Sequence, residues 1–215
     1  LKPVREIGVK SRSVTGIVPP FGRYESTLER DLMESLRFDP CVENYIPQPL
    51  TIDYVDQEGK ARRYTPDGLI EFKKSMSSVT GPVLCEVKYR EDFRDNWKVL
   101  LPKFRAAKKY CAQHGWRFQV YTEKEIRTPY LDNAKFLWPY LQRPPEASIS
   151  KMILQTLWDL DKAEPDFLLC ALFNDPLNRA QMIPALWYLV ATGAIGCDLD
   201  KPLTMHTSLW AMKDC

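Results

Sequence analysis

The sequence predicts an α/β fold, a mixed sheet flanked by helices, followed by a small second domain of helices closed by a terminal hairpin. Three observations carry this. Short apolar runs bounded by turn residues alternate with stretches of helical period. A long helix separates the run beginning at Val83 from that at Trp116–Tyr121, so those two strands are expected to lie parallel, whereas short turns join the earlier ones. Finally, Gln142-Arg-Pro-Pro-Glu interrupts the chain where no helix can continue, and three helices with two short strands follow it. The predicted division is a basic arm over 1–24, an α/β domain over 25–143 and a second domain over 144–215.

Composition narrows the class. The chain has 215 residues, 45% of them apolar and 12% aromatic, enough for a substantial core. Net charge is only +2, but residues 1–143 hold 25 Lys and Arg against 19 Asp and Glu, and residues 144–215 hold 5 against 9. A front half that meets a polyanion and a back half that does not is the expectation. The six cysteines include no Cys-x-x-Cys pair, so neither a zinc module nor a disulfide framework is expected. No signal peptide and no membrane span is apparent. Together with reduced thiols, this predicts a cytoplasmic protein.

In chain order, Leu1–Arg23 mixes Lys2, Arg5, Lys10, Arg12 and Arg23 with Gly and Pro and reads as an extended arm. Leu28, Leu32, Met33 and Leu36 set a helix over Glu25–Phe38, capped near Ser26 and ended by Asp39-Pro40. Val42–Leu50 reads as a connector into a strand at Leu50–Val55. Gly59 supplies the turn into Arg62-Arg-Tyr-Thr, which leads to a strand holding Asp67. Thr80-Gly-Pro turns into the strand Val83-Leu-Cys-Glu86-Val-Lys88. These three strands are expected to form an antiparallel meander. A helix follows over Asn96–His114, stopped by Gly115, then the Trp116–Tyr121 strand and a capping box at Thr122-Glu-Lys-Glu125. Beyond the Pro-Pro break, helices are expected at Ile149–Leu160, Pro165–Phe173 and Pro176–Thr192, with strands at Ile195–Cys197 and Leu203–Ala211. That is the winged-helix order, whose third helix often enters a DNA groove. Here the third helix is mostly apolar and the domain is acidic, so protein docking is the better reading.

The chemistry concentrates at Asp67, Glu86 and Lys88. Period two puts Glu86 and Lys88 on one face of their strand and Val83, Cys85 and Val87 on the other. An isolated Glu-x-Lys is commonly an ion pair on an edge strand. Two acids and an amine on an apolar sheet, with a basic helix next in sequence, instead suggest a magnesium site with a lysine beside it, as phosphodiester hydrolysis requires. Glu25 and Glu29 lie four residues apart on one helical flank, where a glutamate is ordinarily solvated surface. Arg62, Arg63, Arg90, Lys98, Lys103, Lys108 and Lys109 are the candidate DNA contacts.

A helix glutamate, Pro-Asp67, Glu86-x-Lys88 and a basic helix, in that order, resemble the restriction-endonuclease-like nucleases. Glu25-Ser-Thr-Leu-Glu29-Arg-Asp-Leu with Gln48-Pro-Leu, Tyr64-Thr-Pro-Asp67 and Glu86-Val-Lys88 resembles more closely the TnsA family, the endonuclease subunits of heteromeric transposases, over about two-thirds of the chain. The resemblance implies a restriction-endonuclease-like domain followed by a winged-helix-like one. It implies Glu29, Asp67 and Glu86 as catalytic metal ligands for Mg2+ (with Mn2+ as a substitute) and Lys88 beside the attacking water, with Glu25, one turn earlier, the competing choice for the helix carboxylate. Glu86 stands where many TnsA-like sequences have glutamine. It further implies cleavage of the non-transferred 5′ strand at transposon ends, a TnsB-like transposase as partner, and a TnsC-like ATPase docked on the second domain. A free-standing restriction or repair nuclease, or a winged-helix regulator with an inactive nuclease domain, are the alternatives.

Overall fold

The computed structural model describes residues 14–74 and 81–212. Lys2, Arg5, Lys10 and Arg12 of the expected basic arm lie outside them. The chain forms two compact units, one ending at Arg127 and the other starting at Thr128.

The first unit opens with a hairpin, β1 (Gly16–Val18) and β2 (Gly22–Tyr24). This corrects the extended arm: Val18 is buried, and an apolar anchor ties this end of the arm to the fold. The helix α1 (Thr27–Phe38) starts where the sequence indicates, at Ser26, whose Oγ accepts the Glu29 N–H. β3 (Val42–Pro47) follows, then the hairpin β4 (Ile52–Val55) and β5 (Ala61–Tyr64), then β6 (Gly68–Phe72) and β7 (Val83–Val87). The long helix α2 (Arg90–His114) leads to β8 (Arg117–Tyr121) and the short helix α3 (Glu123–Ile126), where the Thr122 capping box forms as expected.

The main sheet has the order β3-β6-β7-β8. β3, β6 and β7 are antiparallel, and β8 joins β7 in parallel, as the intervening helix dictates. The expected meander is corrected. The β4–β5 hairpin stands outside this sheet as its own ribbon, and the segment read as a connector, β3, takes the place beside β6. Tyr45 and Ile46 of β3 are buried on opposite sides, which needs cover on both faces of the strand. α2 starts six residues earlier than its apolar period implies. Residues 90–96 are exposed, so no burial pattern marks them.

Two apolar layers enclose the sheet. Leu28, Leu32 and Met33 of α1 meet Tyr45, Ile70, Val83, Cys85 and Val87 on one side. Ala107 and Cys111 of α2 meet Ile46, Leu69, Leu84 and the ribbon's Ile52 and Tyr64 on the other. Gly68 is required where the layers meet, because a Cβ there would overlap the Tyr45 ring. That ring donates its hydroxyl to the Asp67 carbonyl at 3.2 Å.

The second unit contains α4 (Pro129–Leu137), a 3-10 turn (Trp138–Gln142), α5 (Ala147–Leu160), β9 (Lys162–Ala163), α6 (Pro165–Leu172), α7 (Pro176–Ala191), β10 (Ile195–Gly196) and β11 (Leu209–Ala211). Its small antiparallel sheet runs β10-β11-β9. Residues 128–143, placed in the front domain by the Pro-Pro break, instead belong to this unit. Phe136 meets Trp187 of α7 edge-on at 5.4 Å. The buried Asn133 amide donates to the carbonyls of Leu199 and Lys201 and accepts the Leu203 N–H. The strand β9, too short to carry a periodic signal, was not expected.

Candidate active site

At the carboxy-terminal end of β7 the two layers present their charges together. Asp67 lies one residue ahead of β6 rather than within a strand. Its register beside β7 lets Oδ2 accept the Val87 N–H at 2.7 Å, so the side chain extends the ladder where backbone pairing ends. Glu86 is buried on the α2 side, and the Tyr64 hydroxyl donates to its Oε2 at 2.6 Å. Lys88 shares that face, as period two requires. Its Nζ lies 3.1 Å from Glu86 Oε1 and 3.5 Å from Asp67 Oδ2.

Glu29 reaches the same charges from α1. Burial first, and then the Asp67 carboxylate, raise its pKa. The structure thus brings Glu29 into electrostatic contact with Asp67 and Lys88; Glu25 precedes α1 and its backbone N–H binds Glu29 Oε2 at 2.9 Å. Glu29 Oε1 accepts the Ser26 hydroxyl at 2.9 Å. The residue therefore helps to start its own helix, a double duty the sequence does not separate. Glu29→Ala is expected to lose about 1 kcal/mol of stability with the cap and also DNA cleavage. Glu29→Gln, which keeps an acceptor oxygen, is expected to lose cleavage alone. Thermal denaturation beside a cleavage assay separates the two.

Asp67 is the most perturbed acid. Burial, then repulsion from Glu86, push its pKa up to about 7, against the pull of Lys88 and the Val87 N–H. Burial alone would lower the Lys88 ammonium, but Asp67, Glu86 and Glu29 together hold it above the ordinary lysine value. Three carboxylates around one ammonium leave an excess of buried negative charge, which is costly unless a cation or a proton offsets it.

That excess, on hard oxygen donors with no His or Cys side chain bonded into the group, suits Mg2+ or Mn2+ in charge and donor chemistry. A further oxygen lies close by. Gln48 is buried at positive φ (47°), donates its N–H to the Asp67 carbonyl at 2.9 Å, and has a buried Oε1 without a hydrogen-bond partner among the described residues. Strain and an unsatisfied buried acceptor together are characteristic of functional sites. As they stand, no three His, Cys, Asp or Glu among the described residues are close enough to hold an ion. The Lys88 ammonium bridges Asp67 and Glu86, and Glu29 is turned to its cap.

An outer set of contacts fixes this arrangement. Arg127 bonds Asp31 at 3.0 Å, the Tyr89 hydroxyl at 3.1 Å and Thr27 at 3.4 Å. It thereby ties the first turn of α1, which carries Glu29, to the residue that follows Lys88. Sequence reasoning gave Gln48 and Tyr64 a place in the motifs but no role at the site, and missed Arg127, which nothing local marks.

Of the candidate DNA contacts, Arg62, Lys98 and Lys103 border one groove between the β4–β5 ribbon and α2. Arg62 also pairs with Asp56 at 2.9 Å, and Arg63 with Asp53 at 3.5 Å. Arg90 lines a separate cleft at the start of α2. Lys108 and Lys109 are exposed but about 27 Å along the helix from Arg90, at 1.5 Å per residue, so the seven do not form one patch.

Comparison with known proteins gives two matches in tandem. Residues 39–123 match the family model described as TnsA-like endonuclease N terminal, and residues 125–199 match that described as TnsA endonuclease C terminal. No curated protein matches the chain. Among the described residues, no helix is long and apolar enough to cross a membrane.

Proposed function

The chain belongs to the TnsA endonuclease family and is the endonuclease subunit of a Tn7-type transposase, and from this we propose that it cuts the non-transferred 5′ strand at the ends of a mobile element in a metal-dependent reaction. The observation that carries the reading is the Lys88 ammonium between the half-buried Asp67 and buried Glu86 carboxylates, with Glu29 in electrostatic contact with both Asp67 and Lys88.

Asp67, Glu86 and Glu29 would hold Mg2+, for which Mn2+ would substitute. When bound, the ion supplies positive charge to the phosphate and lowers the pKa of a water. The chain's own residues do the rest. The Tyr64 hydroxyl and the Val87 N–H hold Glu86 and Asp67 in place. The Lys88 ammonium orients the attacking water and offsets charge building on the phosphoryl oxygens. The water oxygen bonds to phosphorus as the bond to the leaving sugar oxygen breaks; the water gives up one proton to solvent and the leaving oxygen takes one up from solvent.

The element order of the second unit, helices around a small sheet with a closing hairpin, supports a winged-helix-like module. Its acidic balance supports docking of protein rather than DNA. A TnsB-like transposase that cuts the opposite strand and a TnsC-like ATPase docked on this unit are the partners this reading requires, and the nucleoid in the cytoplasm is its place.

Reconstitution tests it. With the partner transposase and end-bearing DNA, strand-specific labels should show a 5′-strand cut that chelation abolishes and Mn2+ restores. Excision that persists in EDTA, or a cut on the other strand, would sink the assignment.

A further inference from the structure

The apolar stripe of α2 runs Phe93, Trp97, Leu100, Phe104, Ala107 and Cys111, in alternating steps of four and three. The last four are buried, but Phe93 is 38% and Trp97 49% exposed. The stripe therefore continues past the protein that covers it. Arg90 and Arg94 share this face, since residues 90, 93, 94 and 97 stand at i, i+3, i+4 and i+7. A cleft of about 1110 Å³ opens along it, with Val120 and Lys124 on its lining.

The cleft adjoins the site. Val120 is in register with Glu86 across the parallel pair β7–β8. Its side chain therefore lies on Glu86's face of the sheet, one strand spacing of about 4.8 Å away. The Lys88 N–H donates to the Tyr121 carbonyl at 3.1 Å, so the strand end that carries Lys88 and the cleft wall are joined directly.

We propose that this cleft binds unstacked nucleotides of the DNA strand next to the scissile phosphate, with Trp97 stacking on a base and Arg90, Arg94 and Lys124 meeting the phosphates. The inference rests on the nuclease reading above. Two features favour nucleic acid over a protein helix. Cations alternate with aromatics along the face, the pattern that tracks a strand by stacking and charge. The cleft wall at Val120 also lies one strand from Glu86 of the carboxylate cluster that would receive the phosphate. Two acids, Glu91 and Glu125, stand against three cations on its lining, and Glu125 is already engaged, accepting the Thr122 N–H and hydroxyl. Duplex bases are stacked on one another, so an aromatic face in this position takes a base that has left the stack.

Fluorescence anisotropy of a labelled oligothymidylate with the full chain in EDTA reads the cleft without the chemistry. Trp97→Ala is expected to weaken binding about tenfold, and Trp97→Phe to recover most of it. Arg94→Ala is expected to flatten the salt dependence. In the reconstituted system, Trp97→Ala should slow cleavage of fully paired ends, and mismatched nucleotides beside the cut should restore it. A Trp97→Ala chain that holds the oligonucleotide as tightly as a wild type that cuts DNA overturns the inference alone and assigns the face to a protein partner. A wild-type chain that neither holds nor cuts DNA overturns the nuclease reading itself.

Discussion

Asp67→Asn is expected to abolish strand cleavage, by a thousandfold or more on the order of other losses of a charged catalytic group, while making the metal-free protein more stable at pH 8. The stability follows from the charge of the site. An acid whose folded-state pKa is pushed up to about 7 by burial and by Glu86 favours folding in its protonated form. Its contribution is complete below the ordinary aspartate value near pH 4 and is lost as pH rises through about 7. Asparagine mimics the protonated form at every pH. The variant should therefore exceed the wild type by on the order of a few kcal/mol at pH 8 in EDTA, and the two should converge toward pH 4. Thermal melts across that range are the check. A variant less stable than the wild type at pH 8 would mean that Asp67 is held by its hydrogen bonds as a structural residue.

Lys88→Met carries the second large effect, with the opposite sign on stability. Removing the ammonium leaves the half-buried Asp67 and the buried Glu86 without their shared partner, a loss of roughly 2–3 kcal/mol once the partial exposure of Lys88 is allowed for. Because Lys88 is held above the ordinary lysine value, the wild-type pair is fully formed at pH 8, where the loss should be greatest. Acidification should reduce it as Asp67 takes up a proton. In an Asp67→Asn background the same substitution should cost less, and a double-mutant cycle by chemical denaturation measures the difference. Cleavage should be lost in all three variants. Equal costs in both backgrounds would show that Lys88 does not neutralise Asp67.

Much of the site was legible because its chemistry is local. Glu86 and Lys88 share a face by the period of a strand. Ser26, Gly115 and the Thr122 box announce themselves by what a helix end needs, and the Gly59 turn by the positive φ of 82° it adopts. What escaped depends on partners distant in sequence. β3 gains its place by pairing with β6 across the whole ribbon, and Ile-Pro-Gln-Pro reads as a linker until that pairing is seen. The ribbon leaves the main sheet because Ile52 and Tyr64 pack against Leu84 and Ala107, a tertiary choice with no signature in Arg62-Arg-Tyr-Thr. Residues 128–143 were misassigned because a Pro-Pro break marks where a helix must stop, not where a core ends. The family match fits the order of motifs, whereas the supporting roles of Tyr64 and Arg127 emerge only from the folded geometry.

The lysine seated between Asp67 and Glu86 also governs the order in which ligands can arrive. On the metal-dependent reading proposed above, a divalent cation reaching these carboxylates alone would have to displace a neutralising partner already in place, so its affinity for the free subunit would be low. A phosphodiester arriving alone would meet an ammonium already satisfied. Arriving together, they would exchange partners with the site, and each would then strengthen the other's binding by the same factor. Such a subunit would be a coincidence detector: idle in the presence of metal, and idle on passing DNA, until a strand end is delivered with both.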